Sequence, residues 1–336
     1  MRAVGYYAPM PTTDDRSLVD IELPAPEPGP RDLRVAVRAV SVNPVDVKLR
    51  AAVAPPEGQA RVLGFDACGI VEAVGGEVTR FKPGDAVFYA GALDRPGSNG
   101  ELQLVDERLV GAKPASLSFE QAAALPLTAV TAWELLFDRL GVARGQDARG
   151  TLLVVNGAGG VGSILTQIAR TQTALTVIAT ASRPETVEWC RRMGAHHVID
   201  HRQPLDQELR ALGIADVEYV ASLTATGEHL GAIVQAIAPQ GKLAVIDDPK
   251  TLDIVPFKRK SVSVHWELMF TRSLFQTADM AEQGALLNEV SSLVDAGVLR
   301  TTLTGQAGTI SAADLRRAHA AIETGRGIGK TVLSGF

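Results

Sequence analysis

Cysteine is scarce: Cys68 and Cys190 are the only two in 336 residues. Two thiols that far apart cannot build a disulfide framework, nor by themselves a four-cysteine zinc site, and both are expected to be buried and free. Positive charge is in deficit as well, with 33 Lys and Arg against 38 Asp and Glu. A net charge of −5 provides no general basic field, so neither nucleic acid nor an anionic membrane is an expected partner. Aromatic residues make up only 5% of the chain, which leaves few platforms for stacking bases. No apolar run reaches the roughly 18 residues of a membrane span, and Met1–Tyr6 opens no secretory hydrophobic region. The cytoplasm is the expected location. Internal repeats and low-complexity runs are also missing. What remains is 46% hydrophobic and 21% charged residues, the composition of a soluble globular protein of about two domains.

Against that background one stretch stands out. Thr151-Leu152-Leu153-Val154-Val155 reads as a buried parallel strand, and Gly157, Gly159 and Gly162 follow it in the spacing G-x-G-x-x-G, with a helix expected from Ser163 to Thr171. Each glycine has a mechanical role: a tight turn, close approach of backbone to a pyrophosphate, and close packing of helix on strand. The phosphates are expected on the free N–H groups of Gly159, Gly160, Val161 and Gly162. Alone the spacing is weak, since 32 glycines produce some matches by chance; the strand before and helix after raise it to a dinucleotide-binding signal.

Residues 1 to about 124 are expected to be β-rich. Arg34 to Val42 alternates polar and apolar residues, Gly69 to Gly75 is a strand closed by glycine, and Pro83-Gly84-Asp85 turns into another strand. Pro24 to Pro30 is too rich in proline for a sheet interior. Such short, punctuated strands suggest a barrel-like domain. From Ser118 the pattern becomes helical, interrupted at Pro126 and continuing from Thr128 to Leu140. Strands are then expected at 151–156, 176–181, 197–200, 217–222, 242–247 and 261–265, separated by helices, the pattern of a doubly wound α/β domain. A long helix from Thr277 to Ala296, a helix from Ala312 to Glu323 and a last strand from Lys330 to Leu333 form a tail expected to return to the first domain. The predicted division is 1–124 with 266–336, and 125–265 inserted between them, with a cleft between the two domains.

Several motifs in this order resemble the medium-chain dehydrogenase/reductase superfamily, and within it the zinc-free, quinone oxidoreductase-like branch. Its carriers are Ser41-Val42-Asn43-Pro44-Val45-Asp46, Leu63 to Val71, Pro83-Gly84-Asp85, Leu125 to Trp133, the glycine motif, and Gly329-Lys330-Thr331-Val332-Leu333. The resemblance implies a GroES-like catalytic domain with a Rossmann nucleotide domain, and a homodimer joined through the strand at Ser261 to His265. Zinc-using members hold the metal with a Cys, a His and a second Cys; the matching positions here are Asn43, Phe65 and Leu127, and Tyr89 to Glu101 contains no cysteine for a structural zinc. No bound metal is therefore expected.

In NAD-binding members an acid ends the second strand; here Ala181 stands there, followed by Ser182 and Arg183. Without that carboxylate a 2′-phosphate is not repelled, Ser182 can hydrogen-bond it and Arg183 can pair with it, so NADPH is the expected cofactor. A solvated helix-start residue is the other account of Arg183. The resemblance further implies that His201 faces the cofactor, that Gly329 and Lys330 approach the pyrophosphate, and that Thr128 and Thr131 stand near the nicotinamide. Leu223 is expected to meet the nicotinamide through its backbone. His201 is nearly as well read as a surface histidine beside His196 and His197, Lys330 has a plain surface lysine on a last strand as its alternative, and helix capping explains either threonine.

The reaction these expectations point to is hydride reduction of a small molecule, a quinone or an α,β-unsaturated carbonyl. Asn43 can donate a hydrogen bond to the substrate oxygen, while Asp46 and Lys48 can fix that turn or relay a proton. A turn residue, an N-cap and a solvated charge are the respective alternatives. Tyr6, Tyr89 and His265 to Phe270 are candidates to line the cleft, with core packing or a subunit interface as alternatives. A non-catalytic NADPH-binding or RNA-binding protein, and a zinc-dependent alcohol dehydrogenase, are the competing functions on the same scaffold.

Overall fold

Turn residues in the first third of the chain cut it into short strands. In this computed structural model, which describes residues 1–336 apart from Gln146 and Ala148, these are β1 (Arg2–Tyr6), β2 (Val19–Glu22), β3 (Asp32–Ser41), β4 (Arg61–Val62), β5 (Ala67–Val74), β6 (Ala86–Tyr89), β7 (Leu102–Asp106) and β8 (Val110–Ala112). Helix α1 (Pro44–Ala52) interrupts them, and α2 (Phe119–Ala123) and α3 (Pro126–Trp133) end the region. The inserted stretch holds β9 (Thr151–Val155), α4 (Gly160–Gln172), β10 (Thr176–Thr180), α5 (Pro184–Arg192), β11 (His197–Ile199), α6 (Leu205–Ala211), β12 (Val217–Ser222), α7 (Thr226–Ala236), β13 (Ile237–Val245) and β14 (Ser263–Trp266). The tail carries α8 (Thr271–Leu274), α9 (Glu282–Asp295), β15 (Leu303–Gln306), α10 (Ala312–Glu323) and β16 (Lys330–Ser334).

Two compact units result: Met1–Val130 with Phe270–Phe336, and Thr131–Met269. Their limits fall a few residues beyond the expected 124 and 265, and the first lies within α3 rather than at its start.

In the first unit β3 is the longest strand, and its alternating buried and part-exposed residues give it one core face. It pairs with β5 and β16 and, at its N-terminal half, with β7, in a seven-stranded sheet whose main path is β15-β16-β3-β5-β6-β8. A separate antiparallel sheet, β2-β1-β4, packs beneath α1 and α10, where the Tyr6 hydroxyl donates to the carbonyls of Leu49 and Val53. Arg50, on α1, is fully buried, and a buried guanidinium is tolerated only when its donors are used. Its Nε donates to His319 Nδ1 at 3.3 Å, and its terminal nitrogens reach the Met10 carbonyl and Glu323. Burial, with Arg50 adjoining, pushes the His319 imidazole down to about 3.

The second unit is a six-stranded parallel sheet in the order β11-β10-β9-β12-β13-β14, the doubly wound arrangement with its switch point between β9 and β12. All six expected strands are present. β13 begins at Ile237, earlier than expected, because Pro239 and Gly241 mark a kink near the paired strand's register shift rather than a loop. The helix expected to run from Thr128 to Leu140 is α3 followed by a π-helical turn, Glu134–Arg139. Residues five apart align in that turn, which brings Glu134 and Arg139 to one side with Glu267, whose carboxylate accepts from Arg139 Nε at 2.8 Å. Burial and the adjacent Glu134 hold Glu267 well above the usual carboxylate range. Helix α9 starts later than Thr277 because a turn, fastened by Arg272 to Asp279 at 3.0 Å, precedes it.

The His319 environment makes a stability prediction. An unfolded histidine protonates near 6.5, so between there and about 3 the unfolded chain binds more protons than the native one. This contribution is fully present above pH 6.5 and is lost as pH falls toward 3. His319→Gln should flatten the decline in urea midpoint across that window; an unchanged slope in the variant would contradict the assignment.

Candidate functional site

Three strand ends meet in the first unit. The antiparallel register sets Val332 of β16 opposite Ser41 of β3, and Val40 opposite Ala67 of β5. Lys330, Asn43 and Asp66 therefore lie together just past the paired segments. Asp66 is completely buried and accepts from Ser41 Oγ at 2.9 Å, Asn43 Nδ2 at 2.8 Å, the Leu127 N–H at 2.7 Å and Lys330 Nζ at 3.0 Å. Lys330 gives its other donors to the Val42 carbonyl at 3.0 Å and to Asn43 Oδ1. The second Asn43 amide hydrogen goes to the Ser41 carbonyl at 3.3 Å.

Asp46 adds the next layer. Its carboxylate accepts from the backbone N–H of Asn43 at 2.8 Å, closing a capping box at the start of α1, and from that of Gly64 at 2.9 Å. Gly64 sits at φ +112°, with room for no Cβ between Ser98 and Asn99. Burial pushes Asp46 up to about 7, against the pull of those N–H groups and of Lys330.

These contacts revise two expectations. Asn43 is 1% exposed with both amide hydrogens and its oxygen engaged, so it offers no donor to a substrate. Lys330 is 4% exposed with all three ammonium hydrogens used inside the first unit, which leaves none for a pyrophosphate. Asp46 holds the turn through the Asn43 and Gly64 N–H groups, in keeping with the capping alternative, while Lys48 lies exposed on α1. Tyr6 and Tyr89 are core residues, and of His265 to Phe270 only Trp266 and Leu268 are largely exposed. Thr128 is buried and donates to the Leu125 carbonyl at 3.1 Å; Thr131, also on α3, is buried too. Asp66 escaped the sequence reading although its signal was there: a lone acid in the apolar run Leu63 to Val71 has to be paired.

In the second unit the glycine loop has the mechanics its spacing requires. A Cβ on Gly157 would stand 2.6 Å from that of Ala179, and one on Gly162 would stand 2.5 Å from the Asn156 carbonyl, so the first glycine seats the turn on β10 and the third seats α4 on the turn. Gly159 is the N-cap of α4, and Gly159, Gly160 and Val161 keep partial exposure at its N-terminus. Ser163, behind the loop, donates to the Gly159 carbonyl at 2.7 Å and accepts from the Trp189 indole at 2.7 Å. Trp189 lies on α5, the helix that Arg183 starts, so the loop and this helix are braced together. Arg183 is 29% exposed and pairs with Glu185 at 3.2 Å; Ser182 is half-buried. His201 Nδ1 shares a hydrogen bond with Thr180 Oγ1 at 3.1 Å, and its ring is 5.8 Å from that of His229. Burial and the adjacent His229 pull its pKa below the ordinary imidazole value. Leu223 is buried at the end of β12, and Gly329 adopts φ +55° directly before Lys330.

The residues at the zinc-ligand positions do not suit the metal. Asn43 Oδ1 is taken by an ammonium, Phe65 is buried with its ring 5.4 Å from that of Phe270, and Leu127 presents a hydrocarbon. Among the described residues no group of three or more His, Cys, Asp or Glu is placed to hold a metal ion. No helix among them is long and apolar enough to cross a membrane.

Comparison with known proteins gives a consistent picture. The alcohol dehydrogenase GroES-like domain family matches residues 29–130, and the zinc-binding dehydrogenase family matches residues 193–333. A zinc-type alcohol dehydrogenase-like protein of Staphylococcus epidermidis is 37% identical over 99% of both chains. A quinone oxidoreductase of Pseudomonas aeruginosa is 33% identical over 91% of this chain and 92% of its own. A crystal structure from Rhizobium etli CFN 42, provisionally described as a zinc-dependent alcohol dehydrogenase, is 57% identical with TM-score 0.97, covering 100% of this chain and 98% of that one. A mycobacterial protein solved with NADPH is 27% identical with TM-score 0.84 over the whole of both chains.

The buried pair predicts a strongly non-additive mutational cycle. Lys330→Met strands the Asp66 carboxylate and should cost about 3–5 kcal/mol in urea unfolding, while adding Asp66→Asn should recover a large part of that loss. Additive losses would show that the two residues do not act as a pair.

Proposed function

The chain belongs to the medium-chain dehydrogenase/reductase superfamily, and we propose that within it the protein is an NADPH-dependent reductase of quinones or α,β-unsaturated carbonyls that works without zinc. Membership makes it an oxidoreductase with an NAD(P) cofactor; the choice of cofactor, substrate and metal independence is our reading. The observation that carries the choice of cofactor is the end of β10. Ala181 stands where a carboxylate would grip ribose hydroxyls, and the partly exposed Arg183 guanidinium stands two residues on.

NADPH, when bound, supplies the hydride. The chain's own residues do the rest. Backbone N–H groups of Gly159, Gly160 and Val161 hold the pyrophosphate at the start of α4, where the helix dipole favours negative charge. Arg183, exchanging Glu185 for the stronger dianion, and Ser182 hold the 2′-phosphate. A hydride added to an electron-poor carbon leaves an enolate or hydroquinone anion, and a solvent proton completes the two-electron reduction. Such substrates are already activated, so the reaction has less need of the Lewis acid on which alkoxide oxidation leans. The quinone oxidoreductase among the relatives supports this class, and the misfit of zinc with Asn43, Phe65 and Leu127 disfavours the alcohol dehydrogenase reading. The reading extends to a cytoplasmic homodimer joined at the edge strand β14, where Trp266 is exposed.

Parallel fluorescence titrations with NADPH and NADH test the cofactor assignment. The wild-type protein should prefer NADPH, and Arg183→Ala should weaken NADPH binding by about 10- to 100-fold while leaving NADH nearly unchanged. Equal or tighter NADH binding by the wild type contradicts the assignment.

A further inference from the structure

We infer that Asp247 is a positioning residue for the nicotinamide half of the cofactor, acting through the loop between β12 and α7. The inference rests on the cofactor reading above and adds to it a residue that acts through Thr226.

Helix α7 starts without a cap of its own. Its N-cap residue, Ala225, has no side chain able to accept a hydrogen bond and adopts the left-handed region at φ +51°. The missing acceptor comes from the next strand's end. Asp247 Oδ2 accepts from the Thr226 N–H at 2.9 Å, and Oδ1 accepts from the Thr226 hydroxyl. Ser222 Oγ lies 2.7 Å from Thr226 Oγ1. A carboxylate only accepts, so Thr226 spends its hydrogen on Asp247 and Ser222 donates to Thr226. Ser222 and Thr226 are both fully buried. The Ile246 N–H donates to the Ser222 carbonyl at 3.2 Å, which stitches the same two strand ends together.

One carboxylate therefore fixes Thr226 directly and, through the Thr226 hydroxyl, engages Ser222 at the other end of the Leu223-Thr224-Ala225 loop. Its place in the topology gives this meaning. β9 and β12 flank the switch point of the sheet, and a dinucleotide lies across the carboxyl ends of the strands there. The first mononucleotide-binding half, β9 to β11, takes the adenosine side, leaving the β12 side for the nicotinamide. With no cap supplied by Ala225, Asp247 is the side chain that fixes the start of α7 and with it the loop's left-handed residue.

The test separates positioning from simple helix stabilisation. NADPH and 2′-phospho-ADP-ribose, which lacks the nicotinamide, are titrated against wild type, Asp247→Asn and Thr226→Val, with thermal melting of each free protein as a folding control. Both variants should lose about tenfold in NADPH affinity, the scale of one charge-assisted hydrogen bond, and keep wild-type affinity for the fragment. Equal losses for both compounds would reduce Asp247 to a helix cap, and wild-type affinity for both would remove its role altogether; either result overturns the inference. A wild-type protein that binds neither compound overturns the cofactor reading itself, and this inference with it.

Discussion

The ammonium of Lys330 buried against the carboxylate of Asp66 is the constraint from which the first unit's site takes its form. Two charges removed from water persist only if every donor and acceptor is matched, and here Ser41, Val42, Asn43 and Leu127 complete the set. The strand register of β3, β5 and β16 brings those residues together, so the sheet and the polar knot stabilise each other. The same knot decides chemistry. It occupies Asn43, whose amide oxygen faces the Lys330 ammonium.

The second unit separates its tasks in a comparable way. Glycines at 157 and 162 serve packing, and in the proposed cofactor reading the N-terminus of α4 would take the pyrophosphate and the end of β10 would choose between two phosphate patterns. Trp189 and Ser163 tie the loop to the helix that carries Arg183, so the two places proposed for phosphate are braced together. On the other side of the switch point, Asp247 supplies a cap that the helix lacks.

The architecture was legible because its signals are local and periodic. Six short apolar strands, the glycine spacing after β9 and the N-cap at Ser118 each report on their own surroundings, and α10 and β16 begin at the expected residues. What resisted reading depends on partners distant in sequence. Nothing near Lys330 reveals that Asp66 will consume its charge, and nothing near Thr226 announces Asp247. The π turn at Glu134 depends likewise on Glu267, far along the chain, and so a continuous helix was the natural expectation. Asn43 was expected to donate to a substrate and Lys330 to approach a pyrophosphate, but burial turned their donors inward.

The central claim is hydride reduction that needs no zinc. Its most direct measurement is NADPH oxidation, followed at 340 nm with a benzoquinone and an enone, by protein exhaustively treated with chelator and checked for metal content. The account predicts an undiminished rate in metal-free protein and no stimulation by added zinc. Loss of activity on chelation, restored stoichiometrically by zinc, would contradict it.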